Sequence, residues 1–163
     1  MAGTPKRTYR GFTLLEVTVV VAIMGVLATI AWPLTTNLLD RAGLVTATEI
    51  LRTDIRKAQR EARAAGRTFE LRIDPPAGTY VLGPIGVPGR QSRLPVGLGF
   101  GSPDSADSDG VTFRDNIARF SPRPGLQNSF GSITVRSRSG ARKITVSITG
   151  HVSVTTWNGR GWQ

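Results

Sequence analysis

Residues 12–34, FTLLEVTVVVAIMGVLATIAWPL, decide how the rest of the chain is read. They carry a single charged side chain, Glu16. A helix needs about 20 apolar residues to cross a bilayer, and this stretch is long enough. It is too long for the usual apolar segment of a secretory signal, and no small-residue cleavage site closes it. Before it lies a short polar segment, residues 1–11, with Lys6, Arg7 and Arg10. After it Asp40 offsets Arg41, and Glu49 offsets Arg52. This charge asymmetry predicts a single-pass membrane helix with its N-terminus in the cytoplasm and the C-terminal bulk outside.

No stop signal ends the helix at residue 34. Leu44, Ala47, Leu51, Ile55, Ala58 and Ala62 recur at spacings of three and four, which is one helix face. Gly66 follows two alanines and suits a C-terminal cap. The pattern predicts one helix over residues 12–65, roughly 80 Å long at 1.5 Å per residue. Its first half (12–34) would sit in lipid. Its second half (35–66) would lay an apolar stripe on a head formed by residues 67–163.

From Thr68 the period changes. Phe69, Leu71 and Ile73 alternate, a Pro-Pro-Ala-Gly turn follows, and residues 80–82 return, which predicts a β-hairpin. Residues 83–101 are rich in Gly and Pro and read as irregular. Residues 102–110, SPDSADSDG, form an acidic, Ser-rich loop. Short strands are expected at 111–113 and 118–120, and clearer ones at 133–135, 144–148 and 152–157, with Gly140 and Gly150 in turns. The fold class is therefore α+β: a long N-terminal helix packed on an antiparallel β-sheet head.

Composition narrows the function classes. The chain has 163 residues and no cysteine, which removes disulfides, thiolate metal sites and thiol nucleophiles. It has one histidine, His151, so a His-rich metal site is not expected. Net charge is +10; without Lys6, Arg7 and Arg10 it becomes +7, with 18 basic and 11 acidic side chains. Such a surface suits anionic lipid, nucleic acid or an acidic partner. No paired-carboxylate, GxSxG or Ser-Lys signature is present, so neither an enzyme nor a cofactor is expected.

Gly11-Phe12-Thr13-Leu14-Leu15-Glu16 resembles the processing site of type IV prepilins: a short basic leader, a glycine, and the head of an apolar helix with an early glutamate. The resemblance implies cleavage between Gly11 and Phe12 by a prepilin peptidase. It also implies methylation of the new Phe12 amine by the same enzyme. Gly11, with no side chain, lets an extended backbone enter a protease cleft. An ionised carboxylate costs about 2.5–3.5 kcal/mol near the centre of a membrane helix, so Glu16 needs a partner or a position near the end. Cleavage creates a partner, and Glu16 is expected to pair with the Phe12 amine of a neighbouring subunit. Pro33 lies where many family members place a helix-bending proline, and it lacks the N–H that would continue the ladder.

The head is similar to GspH/FimT-family minor pseudopilins in residues 120–125, 131–135, 144–148 and 150–153. The resemblance implies a minor pseudopilin of type II secretion, anchored in the inner membrane with a periplasmic head and partnered by other pilins or pseudopilins. The alternative within the resemblance is a FimT-like minor pilin of a type IV pilus or DNA-uptake machine. DNA-binding members carry a GRxR-like motif, yet Gly150-His151-Val152-Ser153 lacks both arginines.

Arg52, Arg56, Arg60, Arg63 and Arg67 recur along the second helix half. They read either as a track for DNA phosphates, with Arg160 as a further contact, or as a solvated face in which Lys57 and Glu61 form an i,i+4 pair. Trp157 and Trp162 would supply stacking in the first reading and packing in the second. His151 reads as a polar strand residue. Residues 97–101, GLGFG, lack the lysine and following helix of a phosphate loop. Three aspartates in residues 102–110 offer Ca²⁺ oxygen ligands, but the EF-hand spacing and terminal glutamate are missing, so a plain acidic loop is expected.

Overall fold

The computed structural model describes residues 12–104, 108–123 and 129–163, with the backbone only for residues 30–37. The leader and Gly11 lie outside the described residues. Two compact units divide the chain, Met1–Asn37 and Leu38–Gln163. Helix α1, Leu14–Ala65, contributes to both.

In the first unit Thr13 starts the helix. Its Oγ1 accepts a hydrogen bond from the Glu16 backbone N–H at 3.2 Å. This satisfies one donor that the first turn leaves without a helical partner. The described large apolar side chains of this unit are exposed, among them Phe12, Leu14, Leu15, Val17, Ile23 and Leu27. Among the described residues no helix is long and apolar enough to cross a membrane. The stretch read from sequence as spanning, residues 12–34, runs into positions whose side chains are not described. Pro33 is one of them; α1 is helical through it, and the expected bend falls outside what is described.

The second unit is built on the other half of α1. Leu44, Ala47, Leu51, Ile55, Ala58 and Ala62 are all buried, as their spacing predicts. Gly66 ends the helix with φ +62°, and the Arg67 N–H returns to the Ala62 carbonyl at 3.3 Å. This left-handed cap satisfies a terminal carbonyl at no Cβ cost.

The head has two antiparallel sheets rather than the one expected. Its strands are β1 (Phe69–Asp74), β2 (Thr79–Pro84), β3 (Arg90–Arg93), β4 (Gly99–Phe100), β5 (Ile117–Phe120), β6 (Gly131–Ser137), β7 (Gly140–Val146) and β8 (Val152–Thr156). One sheet has the order β3-β2-β1-β5 and the other β4-β6-β7-β8. Each sheet turns apolar side chains inward: Phe69, Leu71, Ile73 and Phe120 from the first, Ile133, Val135, Ile144 and Val146 from the second. They form one core with the α1 stripe. Alternation along β1 and β5 follows the period of two that places successive residues on opposite faces.

Three local expectations are corrected. Residues 83–101 are not irregular throughout, because they hold the end of β2, all of β3 and β4. β3 reads Arg-Gln-Ser-Arg, with no apolar residue to reveal it. It is an edge strand held by backbone pairing with β2, Leu82 opposite Arg90 and Thr79 opposite Arg93. Residues 111–113 make an isolated bridge, Val111 to Ile133, rather than a strand. β7 stops at Val146, because the Ser147 to His151 turn begins there.

Thr134 interrupts alternation on β6, being buried beside Ile133 and Val135. The returning loop covers it: its N–H donates to the Gly110 carbonyl at 2.7 Å, and its carbonyl accepts from the Gly101 N–H at 3.1 Å. Gly110 has φ +75°, and a Cβ there would stand 2.5 Å from the Gly101 nitrogen. Only glycine allows this approach.

Among the described residues one charged side chain is buried. Asp54 stands on the buried helix face, 6% exposed. Its Oδ2 accepts from the Tyr80 hydroxyl at 2.8 Å, and its Oδ1 accepts from Arg90 Nη2 at 2.6 Å. The carboxylate therefore joins α1 to β2 and β3. A buried carboxylate is tolerated when its lone pairs are bonded in this way. Burial, followed by the bond to Asp54, pushes the Tyr80 phenol from 10.0 up to about 12.

Leu51→Ala should destabilise the head by about 2–5 kcal/mol, since it opens a cavity at a fully buried site. Ile50→Ala, at a position 52% exposed, should change stability by no more than about 0.5 kcal/mol. Chemical denaturation of both variants checks the pair, and equal losses would contradict the stripe. Tyr80 is neutral in the folded state and its folded pKa lies above the unfolded value. Its contribution is therefore complete below pH 10.0 and is lost as pH rises through about 12. Ultraviolet titration should show one of the two tyrosines ionising near pH 12, and Tyr80→Phe should remove that step.

Candidate functional site

At the start of α1 the motif residues share a single turn. Phe12 is 81% exposed and directly precedes the cap at Thr13. Glu16 is exposed, three residues beyond the cap, in the first turn of the helix. A carboxylate is favourable here because unpaired backbone N–H groups give the N-terminus partial positive charge. Thr13-x-x-Glu16 is also the spacing of a capping box. The cap and the N-terminal methylation motif overlap in residues 13–16, so one stretch of sequence carries both signals. Gly11, the other half of the expected cut, lies outside the described residues.

The basic helix residues divide. Arg52 donates to Glu49 Oε2 at 3.1 Å and is half-buried. Arg56, Arg60, Arg63 and Arg67 are exposed. Lys57 and Glu61 pair at 3.6 Å, as their i,i+4 spacing predicts. Arg160 is also exposed, in a tight turn where Asn158 Oδ1 accepts from the backbone N–H groups of Arg160 and Gly161.

The structure does not gather Arg160 with the helix arginines. Gln59 Nε2 donates to the Gly150 carbonyl at 2.9 Å, which places the β7–β8 turn beside the later part of α1. β8 then runs back, so that Thr156, Trp157 and Asn158 face Leu44 and Val45 across a shared cleft. Gln59 and Val45 are 14 residues apart, about 21 Å along the helix. Arg160 thus lies at the far end from Arg60 and Arg63. The Gly150-His151-Val152-Ser153 segment has its own structural work: the His151 N–H donates to Ser147 Oγ, and its carbonyl accepts from the Ser147 N–H.

The C-terminal tryptophans pack on each other, with ring centroids 5.3 Å apart. Lys143 Nζ sits 3.8 Å from the Trp162 ring centroid. Trp162 Nε1 donates to Asp104 Oδ2 at 2.9 Å, which ties the acidic loop to the chain end. That bond, with a second from the Ser102 hydroxyl and the charge of Lys143, holds the Asp104 carboxyl below its ordinary range. Asp109 accepts from the Val111 N–H and from Asn116 Nδ2. Among the described residues no group of acidic or histidine side chains is arranged to hold a metal ion. Asp107 lies outside them.

The helical period also places a charged residue on the buried stripe. Asp54 falls three residues after Leu51 and four before Ala58, on the buried stripe itself. Glu49, off that stripe and partly exposed, stands 3.7 Å from Arg142 Nη1 on β7. No local pattern reports a pairing across 93 positions of chain.

Comparison with known proteins gives two kinds of likeness. Residues 6–32 match the family model for the prokaryotic N-terminal methylation motif. Among curated proteins none matches the sequence. Among solved structures, the type IV minor pilin FimU of Pseudomonas aeruginosa superposes with a TM-score of 0.52 at 15% identity, over 76% of this chain and 94% of that one. The minor pseudopilin EpsH from the type 2 secretion system of Vibrio cholerae gives 0.47 at 12% identity, over 69% and 94%. The chain is pilin-like: it joins a prokaryotic N-terminal methylation motif to the fold of a type IV minor pilin.

Proposed function

We propose that this protein is a minor subunit of a membrane-rooted filament, namely the pseudopilus of type II secretion. The observation that carries the reading is the first unit of the chain. An N-terminal methylation motif leads into a helix whose large apolar side chains from Phe12 to Leu27 are exposed, with Glu16 in its first turn. A continuous exposed apolar surface marks a partner or lipid contact. Before assembly the inner membrane covers it; in the filament other pilins or pseudopilins cover it. The role is structural, not enzymatic.

In this reading prepilin peptidase cuts between Gly11 and Phe12 and methylates the Phe12 amine. Glu16 then meets the Phe12 amine of a neighbour, where low surrounding polarity strengthens an opposite-charge pair. Pro33 would loosen the helix as the subunit leaves the lipid. The head projects on the periplasmic side.

Type II secretion is favoured over DNA uptake because Arg160 does not join Arg60 and Arg63 on one surface, and the segment matching GRxR serves a turn. The exposed Arg56, Arg60 and Arg63 are what the DNA-uptake reading has in its favour. Salt-sensitive binding of duplex DNA by the full chain, lost on replacing those three arginines, would favour it instead.

Mass spectrometry of the protein from cells with active prepilin peptidase should give an N-methylated phenylalanine from Phe12 as its first residue. A chain that keeps residues 1–11 there would overturn the assignment. Glu16→Ala and Glu16→Gln should both be processed normally and should enter the filament at least tenfold less than the parent. The glutamine variant separates pairing from capping, because a capping box accepts either Glu or Gln. Normal assembly of Glu16→Gln would mean that the helix cap, not the charge, is what the position supplies.

A further inference from the structure

A cleft of about 650 Å³ opens in the second unit between α1, the β6–β7 turn and the end of β8. Leu44, Val45 and Trp157 supply apolar wall. Arg41 from the helix, Arg138 from the turn and Arg142 from β7 bring three guanidinium groups to the same space. Arg41 and Arg138 are exposed, while the Arg142 side chain is only 17% exposed.

The charges here do not balance. Glu49 is the carboxylate bonded to this cluster, and it is shared: it takes a hydrogen bond from Arg52 at 3.1 Å and stands 3.7 Å from Arg142 Nη1. The longer contact is beyond hydrogen-bond range. Arg142 Nη1 and Arg52 Nε are both shut off from water without a hydrogen-bond acceptor among the described residues. Buried donors are normally satisfied, so these two mark a local excess of donors over carboxylates. The groups an incoming ligand can reach are the exposed guanidinium groups of Arg41 and Arg138. Guanidinium groups match a carboxylate in two-point geometry.

We infer that this cleft receives the acidic side chain of a peptide segment, its carboxylate against the guanidinium groups and its neighbouring apolar residues against Leu44, Val45 and Trp157. On the filament reading above, that segment belongs to an adjacent subunit. Charge complementarity selects an anion. The apolar wall selects a peptide over nucleic acid, whose phosphates are met by exposed cations tracking a backbone.

The test uses the full chain in detergent, titrated with N-acetyl-Leu-Glu-Leu-amide, with its Gln counterpart and with duplex DNA, and read at the Trp157 indole resonance. The Glu peptide should shift that resonance saturably, and the Gln peptide should bind at least tenfold more weakly. Arg41→Gln combined with Arg138→Gln should lower affinity for the Glu peptide at least tenfold, with the thermal midpoint unchanged. Equal binding of the two peptides, no saturable shift, or saturation of the same resonance by duplex DNA would overturn the inference. Binding is read on the unassembled chain, so it is separable from filament entry. A chain that binds the Glu peptide but never enters a filament would sink the filament reading and leave the cleft standing.

Discussion

The head depends on one physical constraint: a single helix face must be covered on both sides of its centre line. Leu44, Ala47, Leu51, Ile55, Ala58 and Ala62 bury that face completely or nearly so. Neither sheet has a second apolar layer of its own, and each turns its inward residues into the same core as the helix. A four-stranded sheet with one apolar face is stable only when that face is covered. Without the stripe, both sheets would lose part of their cover together.

Charge refines what apolar burial begins. Asp54 interrupts the stripe with a carboxylate, yet every bond it makes is to the sheet that holds β2 and β3. Apolar contact is non-directional, whereas a two-point carboxylate contact fixes where the helix meets that sheet along its length. Glu49 acts similarly toward the other sheet through Arg142, though less completely. The first contact is saturated and the second is not. That difference separates a structural charge cluster from one with bonding capacity to spare.

The two units also solve different problems. Leu38–Gln163 buries its apolar residues within itself. In Met1–Asn37 the described apolar side chains are left open, and Thr13 caps one N–H of the first helical turn. Among the described residues of that unit nothing covers this surface; on the proposed filament reading, lipid and then neighbouring subunits do.

The sequence by itself determined everything that repeats with a local period. The α1 stripe, the cap at Gly66, the β1–β2 hairpin and the strands β6 to β8 are written in spacings of three, four or two, because a helix and a strand expose their faces at those intervals. The N-terminal methylation motif was legible for the same reason: its residues are neighbours along the chain. Tertiary structure alone decided what depends on distant partners. β3 has no apolar residue and is a strand only because β2 offers a backbone edge. The split into two sheets, the pairing of Glu49 with Arg142, and the separation of Arg160 from Arg60 all follow from how strands return across the helix. Such closures join residues tens of positions apart, and no local periodicity encodes the geometry of the return.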